Sequence, residues 1–335
     1  MTETTPKRMS LRSSFAYGYG ITKVQRLSNG NFGAVYRLTY ENGRKIAAKV
    51  LRKNDEESRK LFIAEIRLLK KCSHNGIIKF LNFKISNAEV SKLFFTLELA
   101  NIDLKRRYEK HKADERSARH IFEQIAAALS YLHNKMKVIH HDVKPDNILL
   151  MSMEDLPVAK LTDFGLSRTI AVTKKDPRRF GTKGYLAPEL LKLSSNNYTK
   201  GSCNEKVDVF ALGIALLEVS TTFVSALLVA DEDVMLKAME RGKFASALLS
   251  KLRKSKSREF VAFFSSCVVV DVGERASAEQ LLGHPWLTME PVVSAITLRK
   301  RKKQQPLAEN KESHFNIVEK KRRWKRVEQE DSLAQ

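Results

Sequence analysis

The sequence predicts an α+β fold in two lobes, a small β-rich lobe with one main helix followed by a larger α-rich lobe. Three observations carry that expectation. Between Tyr19 and Leu99, short apolar runs of strand length recur with turn signals between them. One stretch there, Asp55 to Cys72, has helical spacing instead, and beyond Leu104 the pattern becomes mainly helical. Residues 1–16 are rich in Ser and Thr without periodicity and read as a flexible extension, residues 17–290 as the folded body, and residues 291–335 as a basic tail.

Taken in order, Ile21–Leu27, Ala34–Tyr40 and Lys45–Leu51 have strand character, and Asn29-Gly30 and Asn42-Gly43 supply the turns of an antiparallel meander. In the helix that follows, Leu61, Phe62, Ile66, Leu68 and Leu69 recur among charged residues. Two further strand-like runs, Ile77–Ile85 and Lys92–Leu99, bring the small lobe to about five strands. Ser117–Leu132 is amphipathic, with Ile121, Ile125, Ala128, Leu129 and Leu132 on one stripe. Val209–Ala230 is nearly continuous apolar sequence of membrane-spanning length, but Glu218 and the Ser220-Thr221-Thr222 step argue for a buried core helix followed by a second short one. After Trp286 the pattern fades.

Composition narrows the function classes. At 335 residues and 43% hydrophobic, the chain can bury a large core, which excludes disorder throughout. Three unclustered cysteines, Cys72, Cys203 and Cys267, can build neither a disulfide framework nor a four-ligand zinc site. Met1–Ser14 is polar and carries Lys7, Arg8 and Arg12 with no apolar stretch behind it, so the expected location is nucleus or cytoplasm. The formal net charge is +22, from 60 Lys+Arg against 38 Asp+Glu. Residues 291–335 hold twelve of the bases and six of the acids, a net +6 that leaves +16 for the rest. Charge of this sign suits nucleic acid, acidic lipid or an acidic partner.

The chemistry lies in short motifs in a set order. Leu27-Ser28-Asn29-Gly30-Asn31-Phe32-Gly33-Ala34-Val35 sits in a strand–turn–strand context where Gly30 and Gly33 let backbone N–H groups approach phosphates. Ile46-Ala47-Ala48-Lys49 places one lysine in an apolar strand, where it needs an anionic partner, and Glu65 on the next helix can provide it. Taken singly, each of these reads as readily as a turn, an edge lysine or a solvated helix face. His140-His141-Asp142-Val143-Lys144-Pro145-Asp146-Asn147 gathers ionisable groups before an apolar strand, and Asp163-Phe164-Gly165 follows. Asn147 and Asp163 are suitable oxygen ligands for Mg²⁺, which leaves Asp142 to orient a hydroxyl. Gly181-Thr182 and Ala187-Pro188-Glu189 complete a series that chance does not assemble.

With these motifs, the sequence from about Tyr17 to Leu287 resembles the eukaryotic protein-kinase family, and Lys144 and Thr182 match its serine/threonine type. The resemblance implies the bilobal protein-kinase fold and transfer of the γ-phosphate of ATP, with Mg²⁺, to Ser/Thr hydroxyls of protein substrates. It implies that Ser28, Gly30 and Gly33 cover the phosphates, that Lys49 holds them while pairing with Glu65, and that Asn147 and Asp163 bind the metal. Asp142 then orients the acceptor hydroxyl and Lys144 stabilises the transferring phosphoryl group. Val35, Ala47 and Leu149 enclose the adenine, Leu97 borders the back of the pocket, and Glu98 to Ala100 supply hinge backbone groups. Phe80, Leu69, Phe164 and His140 form a spine resting on Asp208, and Glu189 pairs with Arg275. His284-Pro285-Trp286-Leu287 also occurs in calcium/calmodulin-dependent and checkpoint-like kinases.

Three departures bear on mechanism. Ser28 replaces the usual first glycine, which implies at most weaker ATP binding. His141 stands where many kinases carry an arginine that clasps a phosphorylated activation segment, and Arg178 stands where the phosphate acceptor usually lies. A site lacking the acceptor has no use for the clasp, so the segment from Asp163 to Glu189 is expected to be held by Arg178, Arg179 or their neighbours, the alternative being phosphorylation of Thr169 or Thr173. Asp103 and Asp146 lie where kinases directed at basic peptides place acids, an implication the body's +16 opposes. A different class of reading is a pseudokinase scaffold binding partners through the fold and tail, against which stands the presence of Lys49, Glu65, Asp142, Asn147 and Asp163 together. The tail clusters Arg299–Lys303 and Lys320–Arg326 suit a nuclear import receptor; nucleic acid is not favoured, since only Trp324 interrupts the basic runs.

Overall fold

A computed structural model describes residues 20–29, 33–53, 55–85, 93–194, 203–222 and 231–289. The extension at residues 1–16, the tail at 291–335, Gly30 and the second short helix expected before residue 230 lie outside the described residues.

The small lobe is a five-stranded antiparallel sheet with one helix. Strands β1 (Ile21–Asn29), β2 (Gly33–Tyr40) and β3 (Lys45–Leu51) form the expected meander, α1 (Glu56–Lys71) follows, and β4 (Phe80–Ile85) and β5 (Leu93–Leu97) complete the order β1-β2-β3-β5-β4. Period-two alternation divides β2 between two faces. Ala34, Tyr36 and Leu38 pack with Ile46, Ala48, Val50 and Phe94 on one side, while Val35 joins Ala47 and the main core on the other. Helix α1 starts where the Asp55 carboxylate accepts the Ser58 N–H, with Glu56 and Glu57 in its first turn and Lys70 and Lys71 in its last. It buries Phe62, Ile66 and Leu69 against the sheet, with the Phe62 and Phe95 rings 5.0 Å apart. Each such side chain contributes about 1.5–3 kcal/mol of burial.

The expected strand Ile77–Ile85 begins only at Phe80. Gly76 and Ile78 exchange backbone hydrogen bonds with Leu161 instead, so this segment ties the small lobe to the large one.

In the large lobe, β6 (Ile102–Asp103) and α2 (Leu104–Arg107) precede α3 (Glu115–Ser130), which Asp114 caps and which continues as a wider π turn through Met136. Short strands β7 (Val138–Ile139), β8 (Ile148–Leu150), β9 (Ala159–Leu161) and β10 (Arg168–Thr169) pair as β6-β8-β9 and β10-β7. Then come α4 (Ile170–Lys175), α5 (Pro188–Leu191), α6 (Lys206–Ser220), α7 (Glu232–Glu240), α8 (Lys243–Leu252), α9 (Arg258–Cys267), α10 (Ala278–Leu282) and α11 (Pro285–Thr288). Every residue of α6 except Lys206 and Glu218 is buried, which explains its uniform hydropathy. No helix among the described residues is long and apolar enough to cross a membrane. Trp286 closes the core against Phe260 and Phe263.

Candidate active site

Strand β3 carries Lys49 into the cleft between the lobes, and α1 sets Glu65 opposite it. The ammonium lies 2.7 and 2.8 Å from the two Glu65 oxygens and 2.7 Å from Asp163 Oδ1. Burial alone would lower the Lys49 pKa, but Glu65 and Asp163 outweigh it and raise it above its ordinary value. Burial likewise pulls the Asp163 carboxyl upward, and Lys49 outweighs that and holds it below the usual range. Burial raises the Glu65 carboxyl above its ordinary value and Lys49 opposes that rise, so of the two carboxyls Asp163 holds its charge the more firmly. Asp163 has φ of 62°, a left-handed conformation that a non-glycine residue adopts only when its surroundings impose it.

Gly33 opens β2 beside this network. A Cβ there would lie 2.8 Å from the Val50 carbonyl oxygen and 3.2 Å from Lys49 Cγ, so glycine is required by the approach of β3 as well as by any phosphate above it.

The second network centres on Asp142. Thr182 donates its hydroxyl to Asp142 Oδ1 at 2.6 Å, and Lys144 Nζ lies 2.9 Å from Oδ2 and 2.5 Å from the Thr182 oxygen. Asn147, in a 3₁₀ turn (Pro145–Asn147), donates its amide to the Asp142 carbonyl and to Oδ2, each at 2.8 Å. Its nitrogen is thus committed, which leaves the amide oxygen for a cation. Asn147 and Asp163 line the same cavity and present hard oxygens, a donor set that suits Mg²⁺ held by one or two protein groups together with phosphate.

Asp208, at the start of α6, anchors the loop that begins at His140. It accepts the backbone N–H groups of His140 and His141 at 2.8 Å each and lies 2.9 Å from His133 Nε2. His140 donates Nε2–H to the Thr162 carbonyl and accepts the Asp142 N–H at Nδ1, the arrangement of a neutral imidazole; burial lowers its pKa accordingly. Its ring meets Phe164 edge-on at 4.8 Å, a contact of the expected spine; Leu69 lies in the same core, and Phe80 packs against that core and stacks with Phe95 at 6.2 Å. Arg275 clasps Glu189 through two bonds of 2.7 and 2.9 Å, both groups buried.

The activation segment rests on a different surface. His141 is also left-handed, at φ 67°, and its Nε2 lies 3.3 Å from the hydroxyl of fully buried Thr173, while Nδ1 is buried without a hydrogen-bond partner. Burial, opposed by Asp208, lowers the His141 pKa to about 4, so this imidazole is neutral. Its ring packs edge-on against Phe180 at 5.8 Å, and the Arg168 guanidinium lies over the Phe180 ring at 5.2 Å. Gly181 has φ of 123° and sits where a Cβ would meet the His141 carbonyl oxygen at 2.7 Å. Arg178 pairs with Asp176 within the segment, and Arg179 reaches Glu232 on α7. Thr169 caps α4 and is exposed.

All the residues expected at the site fall on this cleft except Gly30, which lies outside the described residues. Ser28, Gly33, Val35, Ala47, Lys49, Glu65, Leu97, Glu98, Leu149, Asn147 and Asp163 line a cavity of about 250 Å³ beneath the sheet, and Asp142 and Lys144 line a second, of about 510 Å³, in front of it. The Glu98 side chain accepts from the Lys79 N–H and Lys160, and its own N–H bonds the Lys79 carbonyl. Sequence reasoning missed that Thr182 bridges Asp142 and Lys144, and that Lys105, Arg106 and Glu109 line the front cavity. The basic run after the helix-capping Asp103 was the available signal.

The family described as protein kinase domain matches residues 21–287. Among curated proteins, the serine/threonine-protein kinase dst2 of Dictyostelium discoideum is 28% identical over 82% of this chain and 23% of its own length. Myosin light chain kinase 2 of Rattus norvegicus, from skeletal and cardiac muscle, is 26% identical over 80% of this chain and 42% of its own. The L-type lectin-domain containing receptor kinase I.3 of Arabidopsis thaliana is 33% identical over 65% and 32% respectively. The matched region is thus less than half the length of each of these relatives.

Proposed function

This chain belongs to the protein kinase family, and from that premise we propose that it is a serine/threonine protein kinase transferring the γ-phosphate of ATP to protein hydroxyls. The observation that carries the reading is that the Lys49–Glu65–Asp163 and Asp142–Lys144–Asn147 networks are both assembled on one cleft. Lys49 is placed to hold the α- and β-phosphates, with Val35, Ala47 and Leu149 around the adenine. Asn147 and Asp163 would hold Mg²⁺, which when bound offsets the phosphate charge. Asp142 Oδ1, now accepting from Thr182, is the acceptor for the substrate hydroxyl. As the new O–P bond forms and the bond to the departing ADP oxygen breaks, Lys144 faces the growing charge.

The test is transfer of labelled γ-phosphate to a mixture of unrelated proteins. Wild-type chain is expected to label Ser and Thr, Asp163→Ala to abolish labelling, and Asp142→Asn to lower it by about a hundredfold or more. Wild-type protein that labels nothing with Mg²⁺ or Mn²⁺ would leave the partner-binding scaffold instead.

The same reading extends to regulation: the activation segment works without a phosphate clasp. A neutral, buried His141 cannot balance a phosphate, and the Thr173 hydroxyl is packed beneath it. The tail clusters Arg299–Lys303 and Lys320–Arg326 serve nuclear import in this proposal; a tagged protein with both clusters neutralised should lose nuclear accumulation, and an unchanged distribution removes the idea.

A further inference from the structure

The cavity of about 510 Å³ in front of Asp142 is where an acceptor segment must lie to present its hydroxyl, and its wall is built from α2 and the 3₁₀ turn. Besides the catalytic groups, that wall carries the carboxylates Asp103, Asp146 and Glu109 and the cations Lys105 and Arg106. Three carboxylates in a substrate cleft would ordinarily attract basic peptides. Two of them are already occupied. Asp103 Oδ1 accepts the Arg106 N–H at 2.9 Å as the cap of α2, and its Oδ2 lies 3.4 Å from Arg106 Nε. Asp146 Oδ2 lies 3.3 Å from Lys105 Nζ. Among the described residues, Glu109 is the one carboxylate lining this cavity without an ion pair.

Resting on the kinase reading, we propose that Lys105 and Arg106 are specificity-determining residues that mask Asp146 and Asp103, so that the enzyme does not favour acceptor segments with arginine or lysine beside the phosphorylated residue. The reasoning is electrostatic. A substrate arginine reaching Asp146 or Asp103 must displace a side chain that stays tethered a few ångströms away with the same charge, well inside the screening length of about 8 Å at physiological salt. Both cations are more than half exposed, at 51% and 62%, so these pairs add little to stability. Their effect falls on what may enter. The body's excess of positive charge acts in the same direction at longer range, disfavouring basic segments before they arrive. The basic-peptide preference implied by Asp103 and Asp146 in the sequence is thereby countered by their own neighbours.

The experiment uses the full chain with saturating ATP and Mg²⁺ and two peptides, identical except for arginine or alanine two and three positions before the serine. Wild type is expected to give kcat/KM for the arginine peptide no higher than for the alanine peptide. Lys105→Ala/Arg106→Ala should raise the arginine-to-alanine ratio about tenfold, Lys105→Glu/Arg106→Glu should raise it further, and Lys105→Arg should leave it near wild type. A wild-type preference for the arginine peptide above about threefold, or a ratio unmoved in both double variants, overturns the proposal while leaving kinase activity standing. No transfer by wild type to peptides or proteins removes the kinase reading, and this proposal with it.

Discussion

Two surfaces of the cleft are built on opposite principles. Around Lys49, one buried ammonium meets carboxyl oxygens of Glu65 and Asp163 at 2.7–2.8 Å. Around His141, packing dominates: a neutral imidazole, a buried hydroxyl and an aromatic ring, with Arg168 over that ring. The first must meet phosphates and a cation, and therefore keeps ionisable groups where burial penalises their charge. The second holds a polypeptide segment in place, which contact and a weak hydrogen bond can do. The ionic surface is thus expected to fail when a charge is removed, and the packed surface when a charge is added.

The largest effect tests the ionic side. Lys49→Met leaves Glu65 and Asp163 facing each other without a cation, and breaking a buried ion pair from one side costs about 3–5 kcal/mol. That cost falls on stability; because Lys49 is also the cation placed on the phosphates, its loss should separately lower kcat/KM for ATP by roughly two to three orders of magnitude. A variant retaining a tenth of wild-type activity would show that the network contributes little to catalysis.

An intermediate effect tests the packed side. Thr169→Ala/Thr173→Val keeps the buried volume and removes both hydroxyls, and peptide phosphorylation is expected to stay within about tenfold of wild type, ~1.4 kcal/mol. Thr173→Glu sets a charge against the His141 ring in a fully buried position and should reduce activity well beyond that. The reverse ranking, with the hydroxyl-free variant inactive and the glutamate active, would mean that the segment needs a phosphate.

The same contrast governs what the sequence made legible. Asp142, Lys144 and Asn147 lie within six residues of one another, so their shared chemistry can be read along the chain, and Lys49 betrays itself as a charge in an apolar strand. The uniformly apolar α6 declares its burial in the same way. Contacts between distant segments leave no such trace. Thr182 reaches Asp142 across 40 positions, and Ile77 and Ile78 read as strand because nothing local says that the backbone there bonds to Leu161. The order β3-β5-β4 is likewise a choice of partners among similar apolar runs. His141 and Arg178 could be seen as departures in the sequence, but the hydroxyl and ring that occupy the place of a phosphate clasp could not.

The smallest effect tests the neutrality of His141 directly. Burial is the main cause of its pKa of about 4, assisted by His140, His133 and Arg168 and opposed by Asp208. The unfolded chain binds that proton near pH 6.5 and the folded one refuses it until about pH 4, so between these values the unfolded state holds more protons. Stability therefore falls as pH drops through this window, with His141 contributing at most about 1.4 kcal/mol per pH unit. His140, buried and lowered in the same direction, adds its own slope, so the comparison must be made between chains that both retain it. Asp163 and Asp208 have pKa values below the ordinary carboxylate range, and their contributions are lost at more acid pH. Urea unfolding of wild type and His141→Asn from pH 7 to 4 should thus differ in slope by close to one proton below pH 6.5. Equal slopes would mean that His141 takes up its proton in the folded state, as a cation able to meet a phosphate would.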